Sequence, residues 1–474
     1  MYDVVIIGAG IVGTMLAKDL SRYQLKVALI DKENDIADGA TMANSAIVHT
    51  GYDPDDNTMK AKMNVAGARL YEQLCKDLNC AYKVVGAYVA ATGEEEEARQ
   101  DVLADRARRR EIKYEFLSGD DARKEEPNLS PSITRVLNFP TTAIIYPWEV
   151  AIACAQVAVN NGTDLFLDSP CTSIDKTTEG YVVHTPDHNL ETRTVINASG
   201  ISADKIYAMV GTPSFHMTPR KGEYFIIDSS VNFVHHVVFP VPSSKGKGVL
   251  AVPTVYGNTL IGPNSDYVSG TVDTGDTFQG LDYVRANITK TMTHVPLNKV
   301  IRTFAGLRPS SSSSDFIIEE APDAPGFINV ASIESPGLAS APGISRYVID
   351  EILANKIELK ENPDAVMTRK APVVMSRLSD EEKAAVIKQN PEYGKIICRC
   401  EQISEGEIVD CIHATCGARS VKAVKKRVRP GMGRCQGGFC EPRVVDILAR
   451  ELNLSPLDVV LDSKKSRILE GKNR

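Results

Sequence analysis

An α/β architecture is predicted, and three observations predict it. The run DVVIIG at residues 3 to 8 reads as a buried strand, residues 11 to 23 (IVGTMLAKDLSRY) place Val12, Leu16 and Leu20 at helical spacing, and KVALI at 26 to 30 reads as a second strand. Together they make one βαβ unit of ordinary size. Between about 165 and 265, strand-like runs alternate with turns, among them GYVVHT (180 to 185), EYFIID (223 to 228) and VLAVPT (249 to 254). They read as a mostly antiparallel sheet, an α+β lobe beside the first. From 396 onward the chain changes to short helices around clustered cysteines.

The remaining elements follow from pattern and punctuation. Helical spacing covers about 60 to 79 and 94 to 110, and the charge run from EEEEARQ to DRARRR in the latter reads as a solvated face. Five serines at 310 to 314 read as a polar loop. After a helix near 344 to 354, residues 356 to 395 carry scattered proline and mixed charge with one short helix at 379 to 389, which reads as a connector. The expected organisation is a large unit at 1–355, the connector at 356–395, a cysteine domain at 396–446 and a C-terminal helix and tail at 447–474.

Composition narrows the function classes. A chain of 474 residues with 43% apolar and 24% charged residues has room for two or three ordinary soluble domains. A net charge of −7 argues against nucleic acid as the main partner, because phosphate neutralisation needs a clustered basic surface. Met1, Tyr2 and Asp3 lead straight into the first strand without a basic leader, and no apolar run reaches membrane-spanning length. The expectation is a cytoplasmic protein, at most peripheral on a membrane. Four of the ten cysteines, Cys75, Cys80, Cys154 and Cys171, are scattered in apolar surroundings and read as small core residues.

Gly8, Gly10 and Gly13 match G-x-G-x-x-G between a strand and a helix, the context that gives the motif meaning. The glycines permit a tight turn, close approach to a pyrophosphate and close helix packing, while the helix N-terminus offers free N–H groups to the anion. Asp31 ends the second strand, 23 residues after Gly8, placed to accept from ribose hydroxyls. This is a Rossmann-like dinucleotide site, and the motif alone does not choose between FAD and NAD.

Further blocks resemble known flavoproteins. TVINASGISAD (194 to 204) resembles the second fingerprint of FAD-dependent oxidoreductases. DGATMANSAIVHTGY (38 to 52), PRKGEY (219 to 224), AGLRPSSSSSDFIIE (305 to 319) and SPGLASAPGIS (335 to 345) resemble blocks of the glycerol-3-phosphate and L-2-hydroxyglutarate dehydrogenase branch of the D-amino-acid-oxidase-like flavoproteins, in the right order over residues 1 to about 350. The resemblance implies an FAD-binding lobe with a substrate lobe interleaved. FAD contacts are then expected from Gly8, Gly10, Gly13, Asp31, Lys32, Thr41, Asn44, Ser45, Ala198, Gly200, Asp204, Gly306, Gly337 and Leu338. Two departures stand out. The family commonly has Glu where Asp31 stands, and Met42, Ala43 and Ala46 replace its usual choices, which leaves the substrate open.

That branch moves hydride to flavin N5 from a carbon bearing a hydroxyl or amine, so the site needs a proton acceptor and cations for an anionic substrate. His49 is the candidate base, with packing against the flavin as the plainer role. Arg308 is the candidate anion grip, since its guanidinium fork fits a carboxylate or phosphate; an interdomain ion pair is the plainer role. Arg220, Lys221, Tyr224 and Tyr52 are secondary substrate candidates. Small residues around Gly337, just before a helix, offer backbone N–H groups to the flavin.

Cys398-x-Cys400, then 34 residues, then Cys435-x4-Cys440 supplies two close thiol pairs, which four-thiolate coordination requires. Ser404 with Glu407 forms a capping box for a helix at 405 to 415, Ser420 caps a second, and Pro442 suits the first turn of a third. On spacing alone, zinc and an iron–sulfur cluster both fit. The segment closely resembles the bacterioferritin-associated-ferredoxin-like [2Fe–2S] domain, which makes Cys398, Cys400, Cys435 and Cys440 the ligands and leaves Cys411 and Cys416 as helix residues outside the cluster. The basic residues Lys422, Lys425, Lys426, Arg427, Arg429 and Arg434 read as a solvated face or a steering surface for an acidic partner.

The combined expectation is an FAD-dependent dehydrogenase passing electrons through [2Fe–2S] to a redox partner, with glycerol 3-phosphate as leading substrate. An L-2-hydroxy-acid, amine or opine dehydrogenase is the alternative, as is a non-catalytic electron-transfer subunit.

Overall fold

The computed structural model describes residues 1–242, 248–268 and 273–471. The first βαβ unit is Tyr2–Ile7, helix Ile11–Leu20 and Val27–Ile30, with Val4 to Ile7 pairing in parallel register with Val27 to Ile30. Tyr2–Ile7 also pairs in parallel with Asn189–Asn197, and Val27–Ile30 with Asp164–Phe166. Phe327–Ala331 adds a further parallel partner to Asn189–Asn197. Near-continuous burial of the first two strands is what a parallel sheet covered on both faces demands.

The helix Ile11–Leu20 is buried almost all round because Pro147–Asn160 and Gly337–Tyr347 pack against it, and Met15, Leu16 and Leu20 share a core with Cys154, Val157 and Ile344. Helices Met59–Asp77 and Gly337–Tyr347 meet through small residues. A Cβ on Gly67 would stand 2.3 Å from the Ala339 carbonyl oxygen, and one on Gly343 2.6 Å from that of Met63. This packing explains why the second helix begins at 337 rather than near 344 as its spacing predicts: the small residues read as a preceding loop form its buried first turns.

The second sheet is mixed but largely antiparallel. Arg220–Ile227 lies between Thr259–Gly262 and Val300–Arg308, and Val237–Pro240 joins Ala87–Ala91 in parallel. The expectation for 165 to 265 needs one correction. Ser173–Lys176, Tyr181–His184 and Asn189–Asn197 belong to the dinucleotide sheet, because the buried second half of Asn189–Asn197 pairs with Tyr2–Ile7 and brings its hairpin neighbours along.

The cysteine domain holds helices Glu405–His413, Val421–Val428 and Glu441–Glu451 around Ile408, Ile412, Val424, Val444 and Leu448. The capping box at Ser404 and Glu407 and the Ser420 cap both form. Residue 446 falls inside the last helix, and Val459 belongs to the same core, so this unit continues past that expected boundary. Residues 472–474 of the tail lie outside the described residues. Cys75 and Cys154 are core residues, and Cys80 and Cys171 half-buried. Cys416 lies in a loop with φ 55° rather than in a helix.

Candidate functional site

A cleft of about 1190 Å³ runs from the first glycine turn to the junction of the two sheets. That is more than a drug-sized pocket, which suits a dinucleotide plus a small substrate. It is lined by Gly8, Gly10, Asp31, Lys32, Ala198 and Gly200, by Thr41, Asn44, Ser45 and His49, and by Arg220, Tyr224, Gly306, Arg308, Gly337 and Leu338. Gly13 sits behind the turn. Its Cβ would fall 1.8 Å from the Gly8 carbonyl oxygen, and a Cβ on Gly8 would fall 2.4 Å from that of Ala198. Backbone packed this closely is the cradle that a pyrophosphate needs.

Asp31 braces the turn. One carboxylate oxygen accepts from the Ala9 N–H at 2.6 Å and the other from the Glu33 N–H at 2.9 Å. Burial pushes its pKa up to about 6, against those hydrogen bonds. Thr41 Oγ1 accepts from the Ile11 N–H at 2.9 Å, tying the loop after Asp31 to the helix N-terminus. Asn44 turns the next segment, donating to Thr41 O and accepting from the Ala46 N–H at 2.7 Å, with Ala46 at φ 61°. Ser45 and Tyr224 hydroxyls lie 3.1 Å apart, and the Tyr224 ring stacks on Phe304. A Cβ on Gly306 would strike Ala43 O at 2.2 Å, so strand Val300–Arg308 lies directly against this segment.

Around Glu334 the cations that line the cleft divide. Arg220 pairs with Glu334, as does Lys60 at 2.8 Å, and Ser310 Oγ donates to the same carboxylate at 2.5 Å. Burial raises the Glu334 pKa, but Lys60, Ser310 and Arg220 outweigh it and hold the group down at about 2. Arg308, opposite Arg220 in the ladder, donates only to the Asn264 carbonyl at 3.2 Å and weakly to Ser265 at 3.5 Å. Among the described residues no carboxylate pairs with it. His49 faces the cleft with its ring 5.6 Å from Phe239 and its carbonyl accepting from Asn64 at 2.7 Å.

Three expected site residues lie elsewhere. Lys221 points to the opposite face of its strand, buried and paired with Asp273 at 3.1 Å and Glu223 at 3.8 Å. Tyr52 is a core residue stacked on Phe139 at 3.8 Å. Asp204 accepts from the Met217 N–H at 2.9 Å and does not line the cleft. Glu334 and Lys60 were not expected. No local motif links residues 274 apart, and only the acidic residue before SPGL gave any signal.

In the cysteine domain the four thiols come together as two pairs, each drawn from both sequence pairs. Cys400 Sγ and Cys435 Sγ are 3.8 Å apart, and Cys398 shares a hydrogen bond with Cys440. A Cβ on Gly433 would lie 2.3 Å from Cys400 Cβ, so that position requires glycine. Among the described residues no three His, Cys, Asp or Glu side chains gather around a single point. Zinc asks for four ligands on one centre, whereas a [2Fe–2S] unit takes two cysteines on each iron, and the paired arrangement fits the latter. Cys411 and Cys416 stand apart, with burial pushing both thiols up to about 12.

The basic run is not a solvated face. Lys426 and Arg427 side chains are 3% and 6% exposed and pair with Asp35 and Asp38 of the flavin-side lobe, while Arg434 at 71% is the solvent-facing member and bonds Asp228. Arg429 reaches Glu401 at 2.9 Å, donates to Tyr146 Oη at 2.9 Å and lies 3.7 Å over the Tyr256 ring. The i, i+4 spacing of Lys422 and Lys426 was the legible sign of a docking face.

Residues 3–351 match the family described as FAD dependent oxidoreductase. The chain belongs to that family. Residues 396–450 match the BFD-like [2Fe–2S] binding domain, so this FAD-dependent oxidoreductase carries a [2Fe–2S] cluster as its second cofactor. Glycerol 3-phosphate dehydrogenase of Caloramator mitchellensis is 45% identical over 100% of this chain and 99% of its own length. Glycerol 3-phosphate oxidase of Mycoplasma pneumoniae is 31% identical over 76% of this chain and 96% of its own. The dithionite-reduced, FAD-bound structure of L-alpha-glycerophosphate oxidase from that organism superposes with a TM-score of 0.74, at 28% identity, covering 79% of this chain and 99% of that one.

Proposed function

We propose that this flavoenzyme oxidises glycerol 3-phosphate to dihydroxyacetone phosphate and sends the electrons to a separate redox partner. The Arg308 guanidinium carries the reading: a cation in the cleft with no carboxylate partner among the described residues, beside the segments that frame the flavin site. Two N–H groups of such a fork suit a phosphate. The full-length likeness to a glycerol 3-phosphate dehydrogenase supports that anion over a carboxylate.

FAD supplies the two-electron acceptor and the [2Fe–2S] centre a one-electron outlet. In this proposal Arg308 holds the phosphate, while Arg220, tied to Glu334, shapes the pocket wall. His49 takes the hydroxyl proton as the C–H bond breaks, and Ser45 with Tyr224 fixes the chain that borders the flavin. Lys221, Tyr52 and Asp204 act through packing.

The partner reading rests on the cysteine edge. Cys400 is exposed, and Phe439, next to Cys440, is 83% exposed, an apolar side chain at the rim of the electron outlet. Among the described residues no helix is long and apolar enough to cross a membrane. Among the described residues no two cysteines form a disulfide, which suits a reducing compartment, and we place the enzyme in the cytoplasm.

Anaerobic mixing of the purified holoenzyme with glycerol 3-phosphate, L-2-hydroxyglutarate and a set of amino acids tests the reading. Glycerol 3-phosphate should bleach the flavin within turnover time and leave the cluster reduced. Bleaching by another member alone reassigns the substrate, and bleaching by none makes the chain an electron-transfer subunit.

A further inference from the structure

The FAD cleft has a wall that does not come from the flavin lobe. Lys422 and Asp462, both in the C-terminal part of the chain, line it together with Asp31, Lys32 and Ser169, at the adenosine end. They are fixed to each other: Lys422 Nζ donates to Asp462 at 2.6 Å, and the Lys422 N–H donates to the Leu461 carbonyl at 2.8 Å. Asn34, three residues after Asp31, donates its side-chain amide to the Asp462 carbonyl.

Behind this wall lies a buried charge cluster that holds the loop 31–41. Arg427 grips both oxygens of Asp35 at 2.8 Å, and Lys426 donates to the Ile36 carbonyl at 2.7 Å and lies 2.8 Å from both Asp35 and Asp38. The same loop is tied to the glycine turn by the Ala37 N–H to the Ala9 carbonyl at 3.0 Å, with Ala37 in the left-handed region at φ 65°. Such a conformation persists only where surroundings impose it. Here the surroundings include the helix Val421–Val428. Removing one partner of a buried ion cluster leaves the others uncompensated, so the loop would have to rearrange.

We propose that the [2Fe–2S] domain is a structural part of the FAD site: its docking through Lys422, Lys426 and Arg427 orders the loop 31–41, closes the adenosine end, and is thermodynamically linked to FAD binding. Lys422 and Lys426 are positioning residues. The proposal rests on FAD occupying this cleft. By linkage, FAD strengthens docking by the same factor by which docking strengthens FAD.

The test uses the full chain, stripped of FAD and titrated with it while protein-bound flavin fluorescence is followed. Lys426→Met and Lys422→Gln should each raise the FAD Kd about tenfold or more, within the range usual for coupled sites. Iron and sulfide per chain should stay at the wild-type value. FAD should also slow tryptic cleavage at the exposed connector residue Lys370 in the wild type, and less so in the variants. If Lys426→Met fails to accumulate folded, Lys422→Gln, whose side chain is 23% exposed, decides alone. An FAD Kd within twofold of wild type with iron content intact overturns the linkage. A wild-type chain that binds no FAD would instead overturn the cofactor assignment of the cleft.

Discussion

The turn at Gly8 to Gly13 is held by backbone: strands Tyr2–Ile7, Val27–Ile30 and Asn189–Asn197 fix it, and the Ala9 and Ile11 N–H groups already have partners in Asp31 and Thr41. The cysteine site instead rests on short loops between small helices, with Gln402, Arg429 and Gln436 at positive φ and its thiols in two pairs. The glycine turn of the first site is shaped by the chain's own packing. The second is finished by its cofactor, because iron takes the place of the protons that the paired thiols share. One site is therefore shaped by backbone packing, while the other is completed by metal on a domain that its own core keeps folded.

The largest expected effect tests the first half of that contrast. Gly13→Ala puts a methyl 1.8 Å from the Gly8 carbonyl oxygen, where backbone cannot readily yield, so a penalty of about 3 kcal/mol is expected. The protein should purify without flavin absorbance and melt early. Cys435→Ser should do less. Iron and sulfide fall to background and the cluster's visible bands vanish, while flavin absorbance stays, because Ile408, Val424 and Leu448 keep the domain packed. Loss of flavin from Cys435→Ser would mean that the two sites are not separable in this way.

Legibility followed the same divide. The βαβ unit and the capped helices were readable because strand burial, helical spacing and cap chemistry act within a few residues. The docking of the basic helix was not, since Lys426 meets Asp35 and Asp38 only after the chain has folded back over nearly its whole length. Lys221 was misplaced for a related reason: alternate strand residues face opposite sides, and PRKGEY alone does not say whether Arg220 or Lys221 faces the cleft. The hairpin at 173 to 184 carried ordinary strand signals, but its sheet was set by the partner of the strand that follows it.

Arg308→Leu comes next in size. It removes a guanidinium that the fold does not use as an ion pair, so flavin and cluster content should match wild type. With Arg308 in its proposed role as the phosphate grip, losing those charge-assisted bonds costs about 3 kcal/mol, roughly two orders of magnitude in kcat/KM measured with a dye acceptor. Arg220→Leu should behave differently despite facing Arg308 across the ladder, because it strips a partner from half-buried Glu334 and so lowers the melting temperature as well.

An effect of similar size to that at Arg308 belongs to the acid limb of stability. Glu334 is held at about 2 by Lys60, Ser310 and Arg220 against the upward pull of burial, whereas its value in the unfolded chain is about 4.3. A depressed carboxylate stabilises the fold fully above its unfolded pKa and loses that contribution as pH falls through the folded value. The contribution is about 3 kcal/mol, fading between roughly pH 5 and pH 2. Glu407, which caps a helix in the cysteine domain, is shifted the other way, because burial raises its pKa above the usual glutamate value. Its ionised form therefore adds no stability that acid would remove. Melting wild type and Glu334→Gln in parallel from pH 7 to pH 2 separates the regions: the gap between the two proteins should be widest at neutral pH and close by pH 2. A gap that stays constant over that range would mean that the ion cluster around Glu334 contributes through hydrogen bonding that survives protonation, and that the flavin lobe is no more acid-sensitive than the cysteine domain.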